Sequence, residues 1–424
     1  MIPVFFFCRK PFLVIEKGTF VDYLNENDGF NIIIQESDPQ QIVPLFQQAV
    51  AWCETNRYDF FLVSSLYANI PTNFDEKCFA STVELGIKYK ADVLIYSAVA
   101  VNSPLPTQYG NLYWIDSAFG INCMVVYRSA FKQILSLPKE WDPRYEVTSI
   151  LTQNLWRKLL VSPYVRREKD SHTVDCALYT NSVRKQQELY RLNYESLDIS
   201  YEDFCVPVYI INLPERKERL EHVLREFQGR SEFEVNVVPA CKDECGAFGL
   251  WKSIRRIVSI AMEKDEDVIV ICEDDHQFTS DYSKEFLFTR IMEGYALGAD
   301  YLNGGCGDFR DAFVITEHLF GMVTIRCTQF IIIYKDFFST ILNANFDKNV
   351  LADVKLSELT ERKMVIYPFV SVQRDFGYSD VTMIFNQNDG LITSMFENAR
   401  KRLENIKRLS EEEALLQHSK VISS

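Results

Sequence analysis

The sequence predicts an α/β chain of two tandem domains, each on a mixed, mostly parallel sheet, followed by a C-terminal helix. Three observations carry that expectation. At 424 residues the chain exceeds one ordinary core, and two domains of roughly 200 residues are the natural division. Apolar strand-like runs alternate with helix-spaced segments, which favours a sheet covered on both faces with ligands at the carboxyl ends of its strands. The two halves can also be laid over one another. Pro3-Val4 matches Pro207-Val208 at an offset of 204, Asp59 matches Asp267 at 208, and Ala91-Asp92 matches Ala299-Asp300 at 208. Tyr127 and Phe131 match Tyr334 and Phe338 at 207, and Arg157-Lys158 matches Arg362-Lys363 at 205. Offsets that drift so little imply duplication with small loop changes.

In the second half PVYIINL (207–213) reads as a buried strand, followed by the helical spacing of ERKERLEHVLREF. EVNVV (234–238) is the next strand, FGLWKSIRRIVSIAMEK (248–264) a helix, and DVIVIC (267–272) and TQFIIIYK (328–335) further strands. The polar stretch NSVRKQQELYRLNYESLDISYED lacks a sustained apolar face and separates the halves. The expected division is a first domain over 1–185, a linker over 186–204, a second domain over 205–392 and a charged helical tail over 393–424. The tail has one apolar face. That face either packs on its own domain or leaves a homodimer open.

Composition excludes several classes. The chain is 47% hydrophobic and 25% charged, with 16 Gly and 14 Pro, as a globular protein is. A net charge of −14 argues against a nucleic-acid partner, whose phosphates demand excess Lys and Arg. Eleven cysteines are scattered, and Cys241 and Cys245 have no second pair or His cluster, so reduced thiols are expected rather than zinc. MIPVFFFCRK lacks the basic start of a signal peptide, and no apolar run reaches the ~18 residues of a membrane span. A cytoplasmic protein without a transmembrane segment is expected, with attachment to the inner membrane as a peripheral protein as the variant.

Three adjacent acids, Glu273-Asp274-Asp275, end the apolar strand DVIVIC. Carboxylates fixed at the end of a buried strand suit a hard divalent cation and the diphosphate it carries. The bland alternative is a solvated turn. The matching strand of the first half, DFFLV (59–63), runs into Ser64, Ser65, Leu66 and Tyr67 instead. After the first strand of the second half come Asn212, Arg216 and Arg219. The two arginines share one face at a helix start, either as a diphosphate seat or as a salt-bridged surface. Asn303-Gly304-Gly305-Cys306-Gly307-Asp308 would let a backbone approach a ligand closely, or is a plain loop. Asp353, entering a later helix, is either an N-terminal charge partner or a group that deprotonates an acceptor hydroxyl.

Together VYIINLPERKERL, GLWKSIRRIV, VIVICEDD and PFVSVQRDFGYSD resemble glycosyltransferase family 25, the lipopolysaccharide-biosynthesis group with β-galactosyltransferases, over about 207–385. The resemblance implies a GT-A fold of Rossmann-like type, a UDP-sugar or related nucleotide sugar as donor, Mn2+ or Mg2+, and inversion at the anomeric carbon. It places Asn212, Arg216 and Arg219 near the nucleotide, with Glu273 or Asp274 near the ribose or a metal water; the loop reading adds Gly304 and Gly305 as a backbone approach to the same ligand. Asp275, Glu273 and Asp380 would hold metal, with Asp353 the base and Ser379-Asp380 a closing motif. One departure stands out: family members carry Ser-His in the helix where this chain has Leu250, Trp251 and Ser253.

The expectation is therefore a hexosyltransferase acting on a glycan, lipid-linked sugar or peptide hydroxyl, with the first domain a degenerate copy. The rivals are a non-catalytic glycan-binding or scaffold protein and a nucleotidyltransferase. The latter ordinarily shows a Gly-rich basic loop, and INLPERKERL contains no Gly.

Overall fold

Runs such as VPVYIIN and FIIIY carry no polar alternation because a strand covered on both faces needs none, and every residue in both is buried. The structure, a computed structural model, describes residues 1–9, 24, 28–37, 42–64, 76–138, 157–165, 173–174, 205–348, 350–377 and 390–423. The chain divides into two units, residues 1–182 with 408–424 and residues 183–407. The expected linker, 186–204, lies outside the described residues.

The first unit runs β1 (Ile2–Arg9), β2 (Phe30–Ser37), α1 (Ile42–Thr55), β3 (Phe60–Ser64), α2 (Glu76–Lys88) and β4 (Val93–Ser97). The short strands β5 (Ala100–Asn102), β6 (Leu105–Pro106), β7 (Leu112–Trp114) and β8 (Ser117–Phe119) follow, then β9 (Cys123–Tyr127), α3 (Arg128–Leu135), β10 (Lys158–Val165) and β11 (Thr173–Val174). Its main sheet has the order β2-β1-β3-β9-β4-β10-β7-β6, with β11 beside β10.

The second unit runs β12 (Val206–Asn212), α4 (Lys217–Phe227), β13 (Phe233–Pro239), α5 (Gly246–Glu263), β14 (Val268–Glu273), β15 (His276–Phe278) and α6 (Lys284–Ala296). It continues with β16 (Tyr301–Asn303), β17 (Asp308–Val314), β18 (Leu319–Arg326), β19 (Phe330–Tyr334), α7 (Lys335–Asn343), α8 (Ala352–Leu359), β20 (Lys363–Ile366) and β21 (Ser371–Gln373). The sheet order is β13-β12-β14-β19-β16-β20-β18-β17. The last helix, α9 (Leu391–Ser423), sets Ile392, Phe396, Ala399, Leu403 and Ile406 into this unit's core along one face.

The two sheets repeat one plan strand for strand. In each, three parallel strands are followed by one antiparallel strand, β9 or β19, and then by a parallel pair. Most strands of each sheet therefore share a direction, and the expected mixed α/β architecture is the one observed. The registers match too: Phe60 faces Tyr127 as Val268 faces Tyr334, and Lys158 faces Val93 as Lys363 faces Tyr301.

A tyrosine lock recurs at the same place. The Tyr334 hydroxyl donates to the Ile291 carbonyl at 2.6 Å, and that of Tyr127 donates to the Val83 carbonyl at 3.1 Å. Each ring lies on a helical glycine. A Cβ on Gly294 would stand 2.7 Å from the Tyr334 oxygen, and one on Gly86 would stand 2.0 Å from the Tyr127 oxygen. Only a residue without a Cβ admits the ring there.

Candidate active site

Parallel strands β13, β12 and β14 end side by side, with Ile211 in register with Glu273 and Asn212 with Pro239. Their carboxyl ends open into a cleft of about 850 Å³ within the second unit. Arg216, Arg219, Glu273, Asp274, Asp275 and Asp353, all marked by the sequence, line it.

The acids are held in a tight network. Arg219 is only 5% exposed and its Nε lies 2.7 Å from Asp274 Oδ1, while an outer nitrogen lies 2.5 Å from Asp275 Oδ2. Asn212 Nδ2 donates to Asp274 Oδ2 at 2.8 Å and so orients that acid. Gln373 Nε2 donates to Asp275 Oδ2 at 2.7 Å. Burial raises the Asp274 carboxyl, and the charge of Arg219 pulls it back. Glu273, half-buried, is pushed up to about 8 by burial and by the charge on Asp275. Its Oε1 accepts from the Thr328 hydroxyl at 2.7 Å.

Asp275 Oδ1 is buried and has no hydrogen-bond partner among the described residues. A hard cation takes such an oxygen, and Mg2+-type sites use one or two carboxylates with the substrate's phosphates supplying the rest. Among the described residues no group of three or more His, Cys, Asp and Glu could hold an ion. The unpartnered Asp275 Oδ1 therefore fits a cation only as one protein oxygen, with a diphosphate supplying further ligands. Asp380 and Ser379 lie outside the described residues.

His276, next to the acids, belongs to the core. Its Nδ1 pairs with Ser371 Oγ at 2.8 Å and its ring stacks on Phe330. Burial holds its imidazole well below the usual range. Gly304 and Gly305 do not line the cleft. A Cβ on Gly305 would stand 2.1 Å from the Ser371 carbonyl, and one on Gly304 would stand 2.8 Å from Phe330. These glycines let the end of β16 pack closely, Gly305 against the Ser371 backbone and Gly304 against the Phe330 ring.

Three cleft residues escaped the sequence reading. Arg374 donates to His222 Nδ1 at 3.0 Å, and its guanidinium lies 5.0 Å from the Phe376 ring centre. Arg326 ends β18 with its guanidinium 3.9 Å from Asp353 Oδ1. Cys327 follows with a positive φ of 81°. Arg374 stands inside PFVSVQRDFGYSD but was given no role of its own, and Arg326 carried no motif, though a basic residue just before TQFIIIYK was a usable signal. Cys327 left none, because a left-handed backbone at Cys is written in the tertiary structure alone.

No family model and no curated protein matches the chain. Among solved structures, A197 from STIV aligns at 12% identity and a TM-score of 0.32, covering 42% of this chain and 87% of that one. A mannosyltransferase, PcManGT from Pyrobaculum calidifontis, in complex with GDP-Man and Mn2+, aligns at 11% identity and 0.25, covering 58% and 89%. An apo UDP-glucose pyrophosphorylase aligns at 11% identity and 0.27, covering 54% and 88%. None of these likenesses carries an assignment. Among the described residues no helix is long and apolar enough to cross a membrane.

Proposed function

We propose that the second unit transfers a hexose from a nucleotide-sugar donor to an acceptor hydroxyl. The observation that supports this reading is the cleft itself. Two arginines at a helix start and three acids at a strand end meet at the carboxyl ends of parallel strands. The resemblance of 207–385 to glycosyltransferase family 25 points the same way.

In this reading Arg216 and the N-terminal turn of α4 receive the diphosphate, since guanidinium and unpaired helix N–H groups both favour an anion. Arg219 keeps Asp274 and Asp275 in place. Asp275, with Glu273, would hold a divalent cation, whose chemistry is to neutralise charge on the departing diphosphate. The acceptor oxygen bonds to the anomeric carbon as the carbon–oxygen bond to the β-phosphate breaks. The nucleoside diphosphate leaves with that electron pair, and the acceptor proton passes to a cleft carboxylate or to water.

The test is a panel of nucleotide sugars with Mn2+, reading released nucleoside diphosphate. Release with at least one donor, reduced about 100-fold or more in Asp275→Ala, is expected. Equal background from both proteins with every donor would overturn the proposal.

A further inference from the structure

Both carboxylate oxygens of Asp353 accept from backbone N–H groups, and Oδ1 also lies 3.9 Å from the Arg326 guanidinium. Oδ2 accepts from the Cys327 N–H at 2.9 Å, and Oδ1 accepts from the Val354 N–H at 2.7 Å. The first bond lands on a strained residue. Cys327 has a φ of 81°, a conformation L-residues with a side chain adopt only when their surroundings impose it. Its carbonyl is fixed from the other side by Asn303 Nδ2 at 2.9 Å. The next residue, Thr328, holds Glu273 at 2.7 Å, and the Glu273 N–H donates to the Gln329 carbonyl at 3.0 Å. A short chain of bonds thus runs from Asp353 through a strained turn to the first acid of the cleft.

The first unit supplies an internal control. At the offset of 207 that aligns β9 with β19, Cys327 corresponds to Gly120, which also has a positive φ, of 58°. The same turn is therefore made there by the residue that adopts it without strain. Thr328 corresponds to Ile121, and Glu273, at 208, to Ser65. Where the sequence has no acid to orient, it also has no hydroxyl to orient it and no side-chain-bearing residue in the strained position.

We propose that Asp353 is a positioning residue: it clamps the Cys327–Thr328 turn so that Thr328 orients Glu273 in the cleft. This rests on the transferase reading for its kinetic part, while its structural part stands apart from any activity. The test compares full-length wild type, Asp353→Asn, Asp353→Ala, Cys327→Gly and the Cys327→Gly/Asp353→Ala double variant, each checked for native circular dichroism.

The first readout is alkylation of Cys327 by iodoacetamide, followed by peptide mass spectrometry. Removing the Asp353 charge eases ionisation of the Cys327 thiol in both variants, so the two are compared with each other. Asp353→Ala, which loses the clamp bond, should label about tenfold faster than Asp353→Asn, which keeps a carbonyl oxygen for the Cys327 N–H. The second readout is nucleoside diphosphate release from the donor panel with its pH profile. Asp353→Asn should keep the shape of the profile and stay within about tenfold of wild-type rate, with Asp353→Ala lower. The double variant should recover part of the Asp353→Ala loss, because glycine needs no clamp.

Equal labelling in Asp353→Asn and Asp353→Ala overturns the proposal. So does the same near-complete loss of turnover in Asn and Ala variants together with loss of one limb of the pH profile, which would make Asp353 the proton acceptor. Should wild type release nothing from any donor, the transferase reading fails and labelling alone decides the clamp.

Discussion

Arg219 balances two buried aspartates with one guanidinium, and the residue scale turns on that ratio. Removing it leaves both carboxylates buried and uncompensated, so Arg219→Ala should cost about 3 kcal/mol in metal-free protein. Mn2+ alone should then raise the melting temperature of the variant more than that of wild type, because the ion takes the place of the missing charge. An equal shift in both would detach Arg219 from the cation site. A second buried charge gives a pH prediction. Lys363 opens β20 at 3% exposure, donates to the Thr360 carbonyl, and is pulled down to about 8 by burial. Between about 8 and the ordinary lysine value near ~10.4 the unfolded chain binds more protons than the folded one. Stability from this group therefore rises with pH across that window, and its penalty is fully present below it. Lys363→Met should gain stability over wild type at pH 7 and lose that advantage by about pH 10.5, read as the difference between two urea titrations.

Elements were more legible than their neighbours' demands on them. β12, β14 and β19 fell where uninterrupted apolar runs placed them, since burial on both faces leaves a signal in every residue, while β13, an edge strand with exposed positions, fell at EVNVV. Helix α4 starts at Lys217, two residues later than its charged pattern began, because Pro214 and Glu215 belong to the turn before it. The hairpin β17–β18 went unread: β17 mixes exposed and buried positions without strict alternation. The acids and the arginines of the site were legible as local clusters. The turn at Cys327 and the packing role of Gly304-Gly305 were not, since both are set by segments far away in sequence. Gly249, on the cleft side of α5, makes the same point. A Cβ there would stand 2.6 Å from the Cys241 carbonyl, a backbone atom that cannot swing aside. Gly249→Ala should cost about 1–3 kcal/mol in urea unfolding and weaken UDP–Mn2+ binding by moving the cleft wall at 241–243. Unchanged affinity by calorimetry would separate that wall from the ligand.

At the scale of the whole molecule, two units share a strand order, strand directions and pairing registers, while the acids mark the second. That asymmetry predicts how ligands act on unfolding. Scanning calorimetry should resolve two transitions, and UDP with Mn2+ should raise one of them only. Asp275→Ala should remove that shift without touching the other transition. A shift in both transitions would place a ligand site in each unit.

The tyrosine lock constrains how either unit can change over time. At Gly86 a methyl group would lie 2.0 Å from the hydroxyl and 2.5 Å from the ring carbon bearing it, so the ring must shrink before the glycine can grow. The order of substitutions is fixed: tyrosine first, glycine second, never the reverse. Gly294 and Tyr334 stand under the same rule on their own helix and strand. Each pair is thus a one-way gate in sequence space, one in each unit.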